Sequence, residues 1–358
     1  MMPITDGMNY APKGKPRPVC GEGEFVFAAV GLDHGHIYGM CNGLSEAGAQ
    51  LKWAYDPDPA KTAAFSAKWP GVQVARSESE VLEDPGVQLV AGATVPADHA
   101  ALGLRVMAHG KDYFTDKPAL TTLEQLAQAS QAVESTGRKY AVYFSERVHV
   151  ESAVLAGQLL QDGALGRVLQ VIGMGPHRAD LASRPSWFFE RERYGGILCD
   201  IGSHQVEQFL YFTGNTDARV VSSQVANYAH KDRPGLEDFG DCNLAGDNGA
   251  SGYFRVDWFT PDGLSGWGDG RTFILGTLGY LELRKYLNVA TGDGGNHIYL
   301  VDGTGEHHLS ASGQVGYPFF GELVLDCLER TDRAMPQAHT FKAAELCVIA
   351  EQRARRTE

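Results

Sequence analysis

The chain has no basic surplus. Its 31 Lys and Arg against 44 Asp and Glu leave a formal net charge of -13 over 358 residues, and the one basic cluster is the RARR near the C-terminus. Such a balance repels a phosphate backbone, so nucleic acid is not expected as a partner. Long apolar runs are missing too: mean hydropathy is -0.23, and Gly, Pro or charge interrupts every apolar stretch before the roughly 20 residues that cross a bilayer. No membrane span is expected. The opening segment, MMPITDGMNYAPKGKPRPVCGEGE, lacks the apolar core and small-residue cleavage site of a secretory leader, which makes the cytoplasm the expected compartment. Cysteine is scarce, with six residues far apart and no C-x-x-C pair. Reduced, mostly buried thiols are expected rather than a disulfide framework. Twelve histidines form no Cys/His cluster at zinc-ligand spacing, so no metal site is expected.

What is present is an ordinary globular composition, 43% hydrophobic and 21% charged, in a chain long enough for two domains with separate cores. Residues 1–24 carry no periodic pattern and read as an N-terminal arm, extended or disordered. Phe25 opens a regular alternation. The apolar run FVFAAVG, a helix with Ile37, Met40, Cys41, Leu44 and Ala47 on one face, and the run LKWAYD make a βαβ unit. VQLVAGAT, a helix over 97–109, KDYFTD, a helix opened by a Thr121/Glu124 capping box, and KYAVYFS continue it. Near-continuous apolar strands between helices predict a parallel sheet covered on both faces over 25–145. From 146 to 358 the texture changes to alternating strands such as RVLQVIGMG, SGYFRVDWF and RTFILGT, with helices near 149–162, 197–213, 317–330 and 340–355. This predicts a second α/β domain with an open, mostly antiparallel sheet.

Three segments carry candidate chemistry. After FVFAAV comes GLDHGHIYG, where a dinucleotide fold places G-x-G-x-x-G against a helix N-terminus. Only Gly31 keeps its place; Asp33 and His36 occupy the second and third positions, with Gly35 out of phase. Asp33 would repel a pyrophosphate unless its carboxylate turns away to cap the helix, and His34 or His36 would then donate to a phosphate. A ligand-free strand–helix turn is the alternative. Asp56, ending the second strand, stands where a carboxylate meets an adenosine ribose and repels a 2'-phosphate, which favours NAD over NADP; its bland role is to cap the next helix. Thr115-Asp116-Lys117-Pro118 ends a strand at the carboxyl edge, where open α/β sheets hold ligands, and a cis Pro118 would fix that turn. In GGILCDIGSHQVEQF, Asp200 and His204 stand at i and i+4, so a helix puts them on one face, as a general base with a carboxylate partner or as a core hydrogen bond.

In this order, the strand–turn–helix at Gly31, Asp116-Lys117-Pro118 in the place of an E-K-P, and Gly195-Gly196 through Asp200 and His204 resemble the Gfo/Idh/MocA oxidoreductases from Phe25 onward. Ile274-Leu275-Gly276-Thr277-Leu278-Gly279 resembles that family's late strand signature. The resemblance implies an N-terminal Rossmann domain, a C-terminal α/β domain whose open sheet packs on partner subunits in a homodimer or homotetramer, and nicotinamide chemistry on carbohydrates or cyclitols. It implies NAD contacts from Gly31, Asp33, His34, His36, Ile37, Asp56, Thr94, Pro96, Asp116 and Lys117. It further implies that Lys117 touches the reacting hydroxyl, His204 takes its proton and Asp200 holds the substrate. Ser145-Glu146-Arg147 stands where many members have Asn-x-Arg.

The substrate pocket is expected to draw on Arg147, His177-Arg178, the loop from Trp187 to Tyr194, Trp258, Trp267 and Tyr317, because aromatic rings stack on sugar faces while Arg and His bond hydroxyls. The expected activity is oxidation of a secondary hydroxyl of a sugar, cyclitol or sugar acid. An NAD-dependent glycosidase working by transient oxidation and elimination, or a non-catalytic NAD-binding sensor, are the alternatives. A sheet face with Trp258 and Phe259 partly open is expected to meet a second copy.

Overall fold

The computed structural model describes residues 7–357, and the chain forms two units. The first takes in Met8–Tyr143 and Tyr317–Phe341; the second takes in Phe144–Gly316 and the chain from Lys342. In the first unit a six-stranded parallel sheet, in the order β3-β2-β1-β4-β5-β6, comprises β1 (Val26–Leu32), β2 (Gln50–Tyr55), β3 (Gln73–Val74), β4 (Leu89–Ala93), β5 (Asp112–Asp116) and β6 (Tyr140–Tyr143). The crossover helices are α1 (His36–Glu46), α2 (Pro59–Lys68), α3 (Glu78–Leu82), α4 (His99–Ala108) and α5 (Leu123–Thr136). The order reverses between β1 and β4, so the loops after these strands part at the carboxyl edge and leave the crevice where this architecture holds a dinucleotide. The strands are apolar throughout because both faces are covered: all five residues of β4 and of β5 are buried.

The second unit has the expected open sheet, mixed in detail. Nine strands run β14-β13-β12-β11-β7-β10-β9-β8-β15: β7 (Val168–Pro176), β8 (Ala218–Ala226), β9 (Phe239–Gly246), β10 (Ser251–Asp257), β11 (Arg271–Gly276), β12 (Gly279–Arg284), β13 (His297–Asp302), β14 (Gly305–Ser310) and β15 (Arg355–Thr357). The β7–β10 and β8–β15 pairs are parallel and the others antiparallel. Its helices are α6 (Ser145–Val148), α7 (Glu151–Gln161), α8 (Arg191–Tyr194), α9 (Ile197–Asp200) and α10 (Gly202–Thr213); α11 (Pro318–Glu329) belongs to the first unit, and α12 (Gln337–Arg353) starts there and passes into the second at Lys342. Alternating burial, as in β11, marks a sheet with one covered face. On that face Phe209 and Gln205 of α10 lie against Gly252 and Gly173, where an added Cβ would come within 2.6 and 2.2 Å of them.

Three expectations change. Residues 317–341, assigned from sequence to the second domain, belong to the first unit: Phe319 and Phe320 of α11 put their ring centroids 6.0 and 6.3 Å from that of Phe114, and Phe320 lies 6.2 Å from Tyr143. The capping box is shifted by one residue, since Thr122 accepts from Gln125 N–H and the Gln125 side chain accepts from Thr121 N–H at 2.8 Å. The arm is not a loose lead over its described part; residues 1–6 lie outside the described residues. It has no helix or strand, yet it follows α1. Asn42 donates to Ala11 O at 3.2 Å, Glu46 accepts from Gly14 N–H at 2.9 Å, and Val19 N–H donates to Ala47 O at 2.8 Å. Gly35, Gly39 and Gly43, spaced four apart on one face of α1, admit this approach, for a Cβ would fall 2.5 Å from Met8 O, 2.9 Å from Tyr10 O and 2.4 Å from the Phe320 ring respectively.

Candidate active site

In the first unit three carboxyl-edge loops carry the residues expected to meet the cofactor. Gly31 has φ +76°, and a Cβ there would stand 2.1 Å from the Thr94 methyl, so only glycine lets the end of β1 pass the loop after β4. Next, α1 starts beyond Gly35, which offers no side-chain cap, and its first amide, that of His36, lies 3.2 Å from His34 Nδ1. Asp33 therefore does not cap the helix; its carboxylate takes Lys61 Nζ at 2.6 Å. Lys61 is also 3.7 Å from Asp56. Asp56 is buried and accepts Leu32 N–H at 2.7 Å and Asp58 N–H at 2.9 Å, while the cap of α2 is Asp58, which accepts Ala60 N–H at 2.8 Å. Ile37 and Pro96 are buried beside these turns. The glycine-only cradle and the buried acid just past β2 fit a nicotinamide dinucleotide.

The two histidines of the turn converge on Asp116. His34 Nδ1 lies 3.1 Å from Oδ2 and His36 Nδ1 2.9 Å from Oδ1, their ring centroids are 4.3 Å apart, and Lys117 N–H donates to Oδ1 at 2.7 Å. Burial would raise the Asp116 pKa, but His36, His34 and Lys117 hold it well below the usual carboxylate range. Among the described residues this is the one group of three such side chains that could hold a cation, its ligand atoms lying within 4.8 Å of one another. Sequence spacing concealed it, because 80 positions separate His36 from Asp116. Lys117 is buried and its bond to Pro118 is cis. His99, which sequence reasoning missed, lies 2.7 Å from Pro118 O and 2.9 Å from Thr94 O and so joins two of the loops; burial pushes its pKa down.

In the second unit Asp200 ends α9, Ile201 keeps helical angles, and His204 follows in the first turn of α10; both side chains are buried. Beside them Glu146 accepts from Gln205 Nε2 and Lys285 Nζ, each at 2.9 Å, and Lys285 is fully buried. Burial opposes the Glu146 charge, but Lys285, His204 and His177 lower its pKa to about 2. The ion pair was not legible because Lys285 looks like an ordinary strand-end lysine. The other predicted pocket residues are tied into the framework. Arg147 donates to Glu207 at 2.6 Å, and Arg178 donates to Pro261 O at 3.1 Å and Leu264 O at 2.8 Å. His177 Nδ1 donates to Gly175 O at 3.2 Å with its ring against Trp267. Trp258 is buried against Phe188 rather than partly open, whereas Phe259 is exposed. Trp187 is half-buried next to Phe188. Tyr317 belongs to the first unit, where its ring meets Gly14 of the arm.

Two acidic side chains hold the start of α9. Ile197 N–H donates to Glu237 at 2.9 Å, Leu198 N–H reaches Glu351 at 3.4 Å, and Arg356 donates to both. Gly196, at φ +88°, leaves room for Glu351, whose carboxyl carbon is 2.2 Å from where a Cβ would be. Burial and Glu237 push Glu351 up to about 8.

A doubly wound parallel sheet with a buried acid just past β2 and a glycine-only pass at the end of β1 has the architecture of a dinucleotide-binding protein. The comparisons make this specific. A family model described as an oxidoreductase family with an NAD-binding Rossmann fold matches residues 27–144, and the GFO/IDH/MocA C-terminal domain matches residues 154–282. The chain belongs to the Gfo/Idh/MocA oxidoreductases, and its first unit is their NAD(P)-binding domain. It is similar to a candidate oxidoreductase of Erwinia carotovora atroseptica SCRI1043 in crystal form, at 53% identity and TM-score 0.91 over 94% of this chain and 100% of that one. It is 28% identical to scyllo-inositol 2-dehydrogenase (NAD(+)) of Bacillus subtilis (strain 168) over 56% of each chain, so the match spans little more than half of that relative. Levoglucosan dehydrogenase in complex with NADH and levoglucosan shares the fold, with TM-score 0.73 and 17% identity over 92% of this chain and 98% of that one.

The Glu351 carboxyl carries a pH signature. Its folded pKa, about 8, lies above the ordinary 4.5, so the fold favours the protonated acid and loses stability as pH rises between those values, by up to about 1.4 kcal/mol per unit. Glu351→Gln removes this loss. In urea unfolding, the stability of the variant relative to wild type should increase from pH 5 to pH 8; a difference independent of pH would show that Glu351 is ionised throughout.

Proposed function

We propose that the protein is an NAD-dependent dehydrogenase that oxidises a secondary hydroxyl of a sugar, cyclitol or sugar acid. The observation that carries this reading is Lys117, buried on a carboxyl-edge turn of the NAD(P)-binding sheet. The similar scyllo-inositol and levoglucosan dehydrogenases support the substrate class. The bound nicotinamide supplies the hydride acceptor. His204 takes the hydroxyl proton as general base, Lys117 donates a hydrogen bond to the same oxygen, and Asp200 holds a neighbouring hydroxyl. Glu146, ionised beside His204, favours the imidazolium that results. Asp56 favours NAD, because its charge repels a 2'-phosphate; Lys61 does not reverse this, since it is shared between Asp33 and Asp56. The exposed Leu275, Leu278 and Tyr280 on the open sheet take a second copy of the chain, giving a homodimer or homotetramer.

His204→Asn and Lys117→Met should each lower kcat roughly 10²–10⁴-fold with the fold kept, and His204→Asn should keep NAD affinity as well. Together they should lose much less than the product of the single losses, because both serve one transition state. A screen of sugars, cyclitols and sugar acids with NAD supplies the substrate, and near-wild-type turnover in either variant removes that residue's role. Calorimetric titration should give NAD at least a tenfold, or about 1.4 kcal/mol, advantage over NADP; equal affinities would detach Asp56 from the ribose. Sedimentation at micromolar concentration should find a dimer or larger, and a monomer would leave the open sheet without its partner copy.

A further inference from the structure

Two imidazoles and one carboxylate meet at the carboxyl edge of the first sheet. His34 and His36 come from the turn after β1, and Asp116 from the last position of β5. Ligand atoms from all three lie within 4.8 Å of one another, and no other such trio occurs among the described residues. His34 Nδ1 is 3.1 Å from Asp116 Oδ2, and His36 Nδ1 is 2.9 Å from Oδ1. Around a six-coordinate cation with bonds of about 2.1 Å, neighbouring donors stand about 3 Å apart. The two separations therefore fit neighbouring corners of an octahedron. Direct imidazole-to-carboxylate hydrogen bonds give similar lengths, and the His36 amide separates the two arrangements. It donates to His34 Nδ1 at 3.2 Å, so that nitrogen presents a lone pair and has no proton for Asp116. A lone pair and a carboxylate oxygen then face each other at 3.1 Å. A positive charge between them removes that repulsion, and a cation that takes the lone pair displaces only a long amide contact.

We propose that His34, His36 and Asp116 bind one divalent first-row transition cation through two imidazole nitrogens and a carboxylate, with the remaining positions open to water or to oxygen atoms of a bound ligand. The donor set selects the ion. Imidazole nitrogens suit manganese through zinc better than magnesium or calcium, which take oxygen donors, and two histidines with one carboxylate are a facial set that leaves positions free. The surroundings hold the donors ready. His36 and Asp116 are buried, and Lys117 N–H donates to Asp116 Oδ1 at 2.7 Å, orienting the carboxylate as outer-sphere donors do. The cation also answers the altered turn. Asp33 and His36 stand where the fingerprint has its second and third glycines, and Asp33 is engaged by Lys61. A cation at His36 brings positive charge to that turn. The site is independent of the dehydrogenase reading, for it needs neither a substrate nor the roles given to Lys117 and His204.

The test is metal binding by the full chain, produced without an affinity tag so that no added histidines compete. Protein stripped with a chelator is titrated with Co²⁺, followed by calorimetry and by the weak visible bands of a six-coordinate ion, and elemental analysis follows dialysis. The expected result is one Co²⁺ per chain, retained through dialysis and not displaced by Mg²⁺. His34→Ala and Asp116→Asn should each weaken binding by at least about tenfold, with thermal unfolding confirming a folded protein. Where Asp116→Asn does not fold, His34→Ala at the less buried ring decides. His297 Nδ1 and His308 Nε2, 2.9 Å apart, are another imidazole pair but belong to no such trio, so His308→Gln should bind Co²⁺ as wild type does. Absence of stoichiometric Co²⁺, wild-type affinity in folded His34→Ala, or loss of binding in His308→Gln alone overturns the site. Displacement of Co²⁺ by equimolar Mg²⁺ overturns the assignment to a transition cation.

Discussion

A carboxylate removed from water must be compensated where it lies, and Asp116 imposes that condition on the whole carboxyl edge of the first sheet. It is buried at the last position of β5. Its compensation comes from the turn after β1 through His34 and His36 and from its own turn through Lys117 N–H. The loop after β4 joins through His99, which reaches Thr94 O and Pro118 O. Three loops from three strands are thus fixed by one buried charge and one buried imidazole ring. The close pass of Gly31 against Thr94 is affordable only because these loops are held together in this way.

The second unit handles buried charge by different means. Glu146 and Lys285 neutralise each other in the interior, with Gln205 of α10 taking one carboxylate hydrogen bond, so the helix that carries His204 is registered against an ion pair rather than against apolar packing alone. Glu237 and Glu351 lie on the amides that open α9 and share Arg356 from the last strand. The segment from Gly196 to His204 is therefore pinned at its start by two acidic side chains and further along by Gln205. Removing one partner of such a pair costs far more than the pair contributes, typically about 3–5 kcal/mol, which ties the position of Asp200 and His204 to residues distant in sequence.

Much of this architecture was legible because it depends on local pattern. Continuous apolar strands between amphipathic helices required a parallel sheet covered on both faces, and alternation after residue 146 required a sheet with one open face. The residues with candidate chemistry were legible as types at strand ends and at a helix start. What local pattern could not convey was pairing across long separations. Asp33 looked like a helix cap until Lys61 claimed it, and Arg147 and Arg178 looked like substrate ligands although Glu207 and the carbonyls of Pro261 and Leu264 occupy them. Short strands such as β15, only three residues long, depend wholly on a partner edge. The glycines at 35, 39 and 43 carried no reading from sequence, and their purpose emerged only with the arm and Phe320 packed against them.

The return of residues 317–341 to the first unit bears on how the chain is made. A ribosome delivers β1 through β6 early, yet the faces of Phe114, Tyr143 and Gly43 receive their aromatic cover only when α11 arrives, after the whole nine-stranded sheet except its last edge strand has been synthesised. The nascent nucleotide-binding half must wait with that apolar surface uncovered while the second half is being produced. Its completion is thus a late, long-range closure of the kind that slows folding and invites chaperone binding. A fragment that stops at the end of β6 would be born without its own lid.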